Sequence, residues 1–134
     1  MKALFLCRGN VGRSTFALYL YRKYISQTGA ESAGTRLSGP SCPLTELPLA
    51  ENVVTVMVEE GIDVSQHCRK LVTKDLLDEA DVVVSMAEPE TVPDFVKEHH
   101  GFIAWEIDDP KGTDLETHRR IKDEIKTKML EQFR

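Results

Sequence analysis

The stretch LCRGNVGRS, residues 6–14, decides how the chain begins to fold, because it joins a strand-like run to a helix-like one. The short apolar run KALFLC (2–7) predicts a buried strand. From Arg13 to about Thr28 the apolar residues recur at helical spacing, and Gly29 is a natural stop. The stretch therefore predicts a strand, a tight loop and a helix in direct succession.

The remainder of the chain continues this alternation of strand-like and helix-like segments. Further strands are predicted at AESAG (30–34), DVVVSM (81–86) and GFIAWEI (101–107). Helices are predicted at 49–61, at 73–80 with Thr73 as N-cap, and at 113–133, while the proline-rich residues 35–48 predict a loop. Four short apolar strands alternating with helices predict an α/β fold: a three-layer sandwich with a four-stranded parallel sheet, as a single domain over residues 1–134.

Composition excludes several classes of protein. The formal net charge of −5 over 134 residues argues against a nucleic-acid partner, and the sequence has no apolar stretch of membrane-spanning length. The N-terminal apolar run is too short for a signal peptide, which favours a cytoplasmic location. Three cysteines without a CxxC pair predict no disulfide framework, so Cys42 and Cys68 are interpreted as inert thiols.

The loop between the first strand and the first helix has the composition of an anion-binding site. In parallel α/β folds ligands collect at the carboxyl ends of the strands, which is where this loop lies. Gly9 and Gly12 free the backbone, and Asn10 tolerates a left-handed conformation. Inward-facing N–H groups and the helix N-terminus would then cradle a tetrahedral oxyanion, with Arg13 gripping two of its oxygens.

Cys7 lies at the end of the strand, in the same electrostatic field. Helix N-termini and neighbouring cations stabilise thiolates, and the Ser14 hydroxyl is placed to donate a hydrogen bond to this one. The sequence thus predicts an anionic nucleophile directly beneath a bound phosphate. The predicted phosphate-binding residues are Arg8, Gly9, Asn10, Val11, Gly12, Arg13 and Ser14.

CRGNVGRS resembles the C-x-G-N-x-x-R-S phosphate loop of the low-molecular-weight protein tyrosine phosphatases, a fold family that also includes thioredoxin-coupled arsenate reductases. ESAGT (31–35), EEGIDVSQHCRKL (59–71), ADVVVSM (80–86) and DDP (108–110) follow in the family's order. The resemblance implies the low-molecular-weight phosphotyrosine phosphatase fold. It also implies phosphomonoester hydrolysis through a phosphocysteine intermediate, without a metal or other cofactor.

The resemblance also implies individual roles. Cys7 is expected to be the nucleophile, Arg13 the clamp on the equatorial phosphate oxygens, and Asp109 the general acid and later the general base. Ser32 and His67 match family positions that support the phosphate loop. Asp108 is interpreted as a solvated neighbour.

Departures from the family pattern concern regulation and substrate. Gly12 replaces the family's usual cysteine, so the vicinal-cysteine disulfide cannot form. Lys111 stands where an aromatic residue commonly stacks on the substrate ring, and Leu37-Ser38 stand at the other usual aromatic wall. Val11 has the shape of the threonine found in phosphoarginine phosphatases, without its hydroxyl. Lys111 prompts the hypothesis that an anionic substrate surface lies beside the phosphate.

Three alternatives therefore stay open: an arsenate reductase using an external thiol, a phosphoarginine phosphatase, and an oxyanion-binding module without turnover. A nucleotide-binding P-loop is excluded, because the motif has no lysine and Cys7 replaces the leading glycine. The expected partners are a phosphorylated protein or a small aryl phosphate, with phosphate, sulfate or vanadate as competitive ligands. The adjacent His99 and His100 are interpreted as surface residues rather than metal ligands.

Overall fold

Strand β1 (Ala3–Cys7) lies at the centre of the molecule, and all five of its side chains are buried. In the computed structural model, which describes residues 1–134, successive side chains of this strand enter two different apolar clusters. Phe5 belongs to one cluster, whereas Leu4 and Leu6 belong to the other. Because side chains alternate across a strand, β1 contributes to the core on both faces of its sheet.

The three other strands are β2 (Ala30–Gly34), β3 (Val82–Ser85) and β4 (Phe102–Ala104). All four are parallel, in the order β2-β1-β3-β4. Their carboxyl ends consequently lie along one edge of the sheet. The loop that begins at Cys7 projects from the middle of that edge, which is where parallel α/β folds bind ligands.

The helices are α1 (Arg13–Tyr24), α2 (Glu51–Glu59), α3 (Lys74–Glu79), α4 (Asp94–Lys97) and α5 (Leu115–Phe133). Phe16 of α1, Met57 of α2 and Ile125 of α5 are fully buried in the larger apolar cluster on one face of the sheet. Leu77 of α3 and Val96 of α4 are buried in the smaller cluster on the other face. The predicted three-layer α/β sandwich with a four-stranded parallel sheet is confirmed.

The structure shortens several predicted elements. Helix α1 ends at Tyr24, because Ser26 and the β-branched residues Ile25 and Thr28 are weak helix formers. Strand β4 is three residues long, and beyond it the chain leaves the sheet. The predicted N-cap of α3 is confirmed, since the Thr73 side chain accepts a hydrogen bond from the Leu76 N–H at 3.2 Å. No helix combines the length and the apolar character needed to cross a membrane.

Candidate active site

Cys7 and Ser14 lie at the two ends of the phosphate loop, residues 7–14, and their side chains meet across it. The Sγ atom of Cys7 is 3.0 Å from the Oγ atom of Ser14, and both residues are buried. Helix α1 begins at Arg13, so its free backbone N–H groups lie at the same end of the loop. A thiol that ends a strand therefore lies beside a hydroxyl group and the positive end of a helix dipole.

Asn10 holds the shape of the loop. It is the only residue other than glycine with a positive φ, at 53°, and it is fully buried. Its Nδ2 donates to Ser14 Oγ at 2.7 Å and to Ser32 Oγ at 3.0 Å, while its Oδ1 accepts from the Lys70 N–H at 3.2 Å. One amide therefore ties the loop to α1, to β2 and to the segment before α3.

The glycines of the loop act differently from the prediction, which assigned them backbone freedom. Neither Gly9 nor Gly12 has a positive φ. At Gly12 an added Cβ would come within 3.0 Å of the Cγ atom of Pro110, whereas at Gly9 it would meet only ordinary van der Waals neighbours. Gly12 is therefore needed for the close approach of the Asp109-Pro110 loop.

Arg13 is 3% exposed and is held by groups from two other strand ends. Its Nη1 donates to the carbonyl of Met86 at 2.6 Å, to Glu88 Oε2 at 2.8 Å and to the carbonyl of Ile107 at 3.1 Å. Its Nη2 donates to Glu88 Oε1 at 3.3 Å. The paired bonds to one carboxylate fix the plane of the guanidinium group.

The charges around Arg13 reinforce one another. Burial opposes the charged guanidinium, but the Glu88 hydrogen bond and the charges of Cys7, Glu88 and Asp109 raise the pKa of Arg13 above its ordinary value. The hydrogen bond from Arg13 in turn holds the pKa of Glu88 below its usual range. Both groups are therefore charged at neutral pH, and Arg13 retains its positive charge for an incoming anion.

Asp109 enters the site from the loop that follows β4. Its Oδ2 lies 3.8 Å from Arg13 Nη2, its Oδ1 accepts from the Lys111 N–H at 3.0 Å, and the side chain is 39% exposed. Asp108 is 82% exposed and faces Arg120 at 3.9 Å, outside the site. Of the two adjacent aspartates, only Asp109 can reach both solvent and a phosphate held by Arg13.

Cys7, Arg13 and Asp109 line a cavity of about 420 Å³. Its cationic lining residues are Arg8, Arg13, Arg36, Arg69 and Lys111, and its single carboxylate is Asp109. Its apolar lining residues are Val11, Leu37, Leu47, Pro48, Leu49, Val53 and Pro110. Neither phenylalanine, tyrosine nor tryptophan lines the cavity, so its apolar wall is aliphatic.

Residues 36–49, the wall segment, form one side of this cavity and are held in place by Arg69. The guanidinium group of Arg69 donates to the carbonyls of Ser38 at 2.7 Å, Pro40 at 3.2 Å and Gly9 at 2.9 Å. Arg69 is buried, and burial lowers its pKa although the charge of Cys7 opposes that shift. A single side chain thus joins the wall segment to the phosphate loop.

The profile of the family described as low molecular weight phosphotyrosine protein phosphatase matches residues 2–133 of this chain. The chain belongs to this family. Membership makes the protein an enzyme of the phosphoric monoester hydrolase type, and it agrees with the cysteine, arginine and aspartate that meet in the cavity.

Known relatives of this phosphatase differ in the activity that their names give. An arsenate reductase from Brevibacillus brevis is 31% identical over 123 residues, which cover 90% of this chain and 85% of that protein. The solved structure of the YwlE arginine phosphatase from Geobacillus stearothermophilus has 24% identity and a TM-score of 0.76, covering 96% and 87% of the two chains. Wzb from Vibrio vulnificus, solved with benzylphosphonate, has 20% identity and a TM-score of 0.81, covering 97% and 94%. The two solved structures share the fold of this phosphatase.

The interpretation of Cys42 and Cys68 as inert thiols is wrong, because the two form a disulfide across 26 residues of sequence. Cys42 lies in the wall segment, and Cys68 directly precedes Arg69, whose own N–H donates to the Ser41 carbonyl at 2.8 Å. Pairing depends on the path of an irregular loop, which cysteine spacing does not reveal. Both cysteines are exposed, whereas Cys7 is buried and free.

Of the two supporting residues predicted from the family pattern, only Ser32 contacts the phosphate loop, through Asn10. His67 lies against α1 instead, with its Nδ1 3.2 Å from the Tyr19 hydroxyl and its Nε2 buried without a hydrogen-bond partner. Burial, together with the charges of Lys70 and Arg22, lowers the pKa of His67 to about 4. The ring is therefore neutral at physiological pH.

Sequence reasoning missed Glu88 and Arg69 as residues that position the site. A signal existed for Glu88, because it follows β3 and so lies at the same sheet edge as Cys7. No comparable signal existed for Arg69. Its acceptors are backbone carbonyls, and any residue type supplies those.

Proposed function

We propose that this protein is a cysteine-dependent phosphomonoesterase that acts on aryl phosphates, phosphotyrosine among them, through a phosphocysteine intermediate. The observation that carries the proposal is the convergence of Cys7, Arg13 and Asp109 on one cavity from the ends of β1 and β4 and the start of α1. A nucleophile, an anion clamp and a proton donor are the three groups that such a displacement requires.

In the first step the thiolate of Cys7 attacks the phosphorus atom, so that a sulfur–phosphorus bond forms and the ester oxygen–phosphorus bond breaks. The 3.0 Å contact with the Ser14 hydroxyl supports the thiolate by a hydrogen bond. Arg13 stabilises the charge on the equatorial oxygens, held in plane by Glu88. Asp109 protonates the departing oxygen, since it lies 3.8 Å from the guanidinium group that holds the phosphate.

In the second step a water molecule attacks the phosphocysteine, and the sulfur–phosphorus bond breaks. Asp109, deprotonated by the first step, accepts a proton from that water. Inorganic phosphate leaves and the thiolate of Cys7 is restored. The two steps use the same carboxyl group in opposite directions, so no further acid or base is required.

The proposed substrates are a phosphorylated protein or a small aryl phosphate, and phosphate, sulfate and vanadate should compete with them. The cavity supports this class, because its aliphatic wall of Leu37, Leu47 and Leu49 can pack against a ring. We place the reaction in the cytoplasm, where a reducing milieu keeps Cys7 as a free thiol. The Cys42–Cys68 disulfide is the observation that opposes this location.

A second candidate function is arsenate reduction, which the name of the Brevibacillus brevis relative favours. Cys42 and Cys68 are bonded to each other, and neither lines the cavity. Reduction of arsenate on Cys7 would therefore take its electrons from an external thiol.

The deciding experiment is hydrolysis of p-nitrophenyl phosphate in the presence of EDTA by the wild type and by Cys7→Ser. We expect turnover that survives the chelator and falls by at least about a thousandfold in the variant, because the serine hydroxyl is a far weaker nucleophile than a thiolate. The double variant Cys42→Ser/Cys68→Ser is the matched control, since it replaces two cysteines outside the cavity.

Absence of turnover in folded wild type, with Cys7 titrating as a free thiol, would contradict the proposal. Arsenate with an external thiol is then the next substrate to test. Vanadate binding without either activity would leave an oxyanion-binding module.

A further inference from the structure

Three of the five cations that line the cavity have no partner in the protein. Arg13 is bonded to Glu88, and the donors of Arg69 are taken up by backbone carbonyls. The side chains of Arg8, Arg36 and Lys111 are exposed and make neither a hydrogen bond nor an ion pair. A phosphate held by Arg13 and the phosphate loop would leave these three charges free.

The free cations lie on both sides of the nucleophile. The Arg36 N–H donates to the Arg8 carbonyl at 2.8 Å, so these residues continue the pairing of β2 with β1. Lys111 lies on the loop that follows β4, directly after Asp109 and Pro110, and Pro110 packs against Gly12 of the phosphate loop. Arg36 is therefore attached to the Arg8 part of the phosphate loop, and Lys111 belongs to the segment that packs on its Gly12 part.

The charge of the cavity is opposite to that of the whole chain. The protein carries 22 acidic and 17 basic residues, yet the lining has five cations and one carboxylate. Beyond a Debye length the surplus of acidic residues is screened, so the local field at the cavity mouth governs an approaching substrate. The positive potential of the cavity also disfavours a substrate whose leaving group is positively charged.

We infer that the substrate is a phosphorylated side chain within an acidic peptide segment, whose flanking carboxylates are bound by Arg36 on one side and Lys111 on the other. This inference rests on the proposed phosphatase activity and specifies its substrate class. A small aryl phosphate reaches only the central site, whereas a peptide places a carboxylate on each side of its phosphate. Arg36 and Lys111 therefore determine specificity and take no part in the chemical steps.

The test compares three phosphotyrosine peptides that are identical except for two flanking residues on each side, which are glutamate, alanine or lysine. In the wild type at low salt we expect kcat/KM for the glutamate peptide to exceed that for the alanine peptide about tenfold. Each of Arg36→Gln and Lys111→Gln should lower this ratio about threefold, in keeping with the strength of exposed charge pairs. Raised ionic strength should lower the ratio as well.

Two further measurements show which cation binds which flank of the peptide and control for the change in net charge. Peptides with glutamates on only one side of the phosphotyrosine should lose their advantage in one of the two variants and keep it in the other. Lys74→Gln is the matched control, because this exposed lysine begins α3 and does not line the cavity. Lys74→Gln should hydrolyse p-nitrophenyl phosphate within about twofold of the wild type. Arg36→Gln and Lys111→Gln should lower kcat/KM for p-nitrophenyl phosphate less than they lower it for the glutamate peptide, since p-nitrophenyl phosphate has no flanking charge.

Equal kcat/KM for the glutamate and alanine peptides in the wild type would overturn the inference, and so would a ratio that survives the double variant Arg36→Gln/Lys111→Gln. An equal loss in Lys74→Gln would also overturn it, because net charge alone would then explain the effect. Failure of the underlying phosphatase activity is distinguishable, since p-nitrophenyl phosphate would then not be hydrolysed by any of the proteins.

Discussion

The phosphate loop and the wall segment face the same cavity but are built in opposite ways. Most of the phosphate loop is buried, and its internal bonds join residues close in sequence, such as Asn10 to Ser14 and Cys7 to Ser14. Most of the wall segment is exposed, and it is held from outside by Arg69 and by the disulfide to Cys68. Side-chain bonds inside the phosphate loop add to those it receives from distant segments, whereas no side-chain hydrogen bond joins two residues of the wall segment.

This difference separates chemistry from specificity. Groups that must be placed within a fraction of an ångström belong on buried, locally bonded backbone, where few substitutions are tolerated. Groups that recognise the remainder of the substrate can lie on an exposed loop, whose sequence can vary without disturbing the nucleophile. Arg36 and Leu37, at the start of the wall segment, recognise the remainder of the substrate. Cys7 and Arg13 are the groups that must be placed accurately.

Gly34→Ala should have the largest effect on turnover among the changes that spare the reacting residues. An added Cβ would lie 2.8 Å from the Arg8 carbonyl oxygen and 3.1 Å from the Asn10 nitrogen, which forces the phosphate loop to move. We expect kcat/KM for p-nitrophenyl phosphate to fall about a hundredfold, the usual cost of misplacing catalytic groups by about 1 Å.

Gly61→Ala is the control for this change. Gly61 has a positive φ, of 77°, which Gly34 does not, but no atom lies within 4 Å of the added Cβ and the residue does not line the cavity. It should cost about 1 kcal/mol of stability and leave turnover intact. Wild-type turnover in Gly34→Ala would show that the phosphate loop is not as rigid as its bonds indicate.

Removal of the disulfide should affect stability more than turnover. The double variant Cys42→Ala/Cys68→Ala should lower the free energy of unfolding by about 3 kcal/mol, because the crosslink closes a chain segment of 26 residues. Turnover of p-nitrophenyl phosphate should fall by less than about fivefold, since Arg69 still bonds the wall segment to Gly9. Urea unfolding and steady-state kinetics measure the two quantities.

Wild type treated with a dithiol reductant should match the double variant in both measurements. If loss of the disulfide lowered turnover as much as Gly34→Ala does, the wall segment would be part of the catalytic support. The contrast between the two regions would then not hold.

Substitution of His67 should leave turnover unchanged but should measurably alter the pH dependence of stability. Its pKa is about 4 in the folded protein, below the value of about 6.5 of a free histidine. The unfolded chain therefore binds more protons between these values. The resulting stability is fully present above about pH 6.5 and is lost as the pH falls towards 4, by up to about 3 kcal/mol.

His67→Gln should remove this contribution to the dependence of the free energy of unfolding on pH. We expect the free energy of unfolding, measured by urea titration between pH 7 and about pH 4.5, to decline less steeply in the variant than in the wild type. Parallel slopes would show that His67 is protonated without penalty in the folded state. Turnover at pH 7 should be equal in the two proteins, because the ring contacts Tyr19 rather than the phosphate loop.

Local sequence carried most of the information about the fold and the reacting residues. The apolar run before Cys7, the loop, and the start of α1 at Arg13 were predictable because each depends on neighbouring residues. The N-cap at Thr73 was predictable for the same reason. The left-handed residue of the loop was assigned only loosely, since asparagine and glycine both tolerate that conformation. The side-chain amide of Asn10, which bonds to Ser14, Ser32 and Lys70, distinguishes it from the two glycines.

Only the tertiary structure decided what surrounds those residues. Glu88 reaches Arg13 across 75 residues of sequence, Arg69 reaches Gly9 across 60, and Cys68 pairs with Cys42 across 26. The first contact exists because parallel strands bring their carboxyl ends to one edge of the sheet, whereas Arg69 and the two cysteines lie in irregular segments between β2 and α3. The sequence by itself determined the nucleophile, the anion clamp and the strand–loop–helix that holds them. The orientation of the clamp and the wall of the cavity depended on which segments the sheet places side by side.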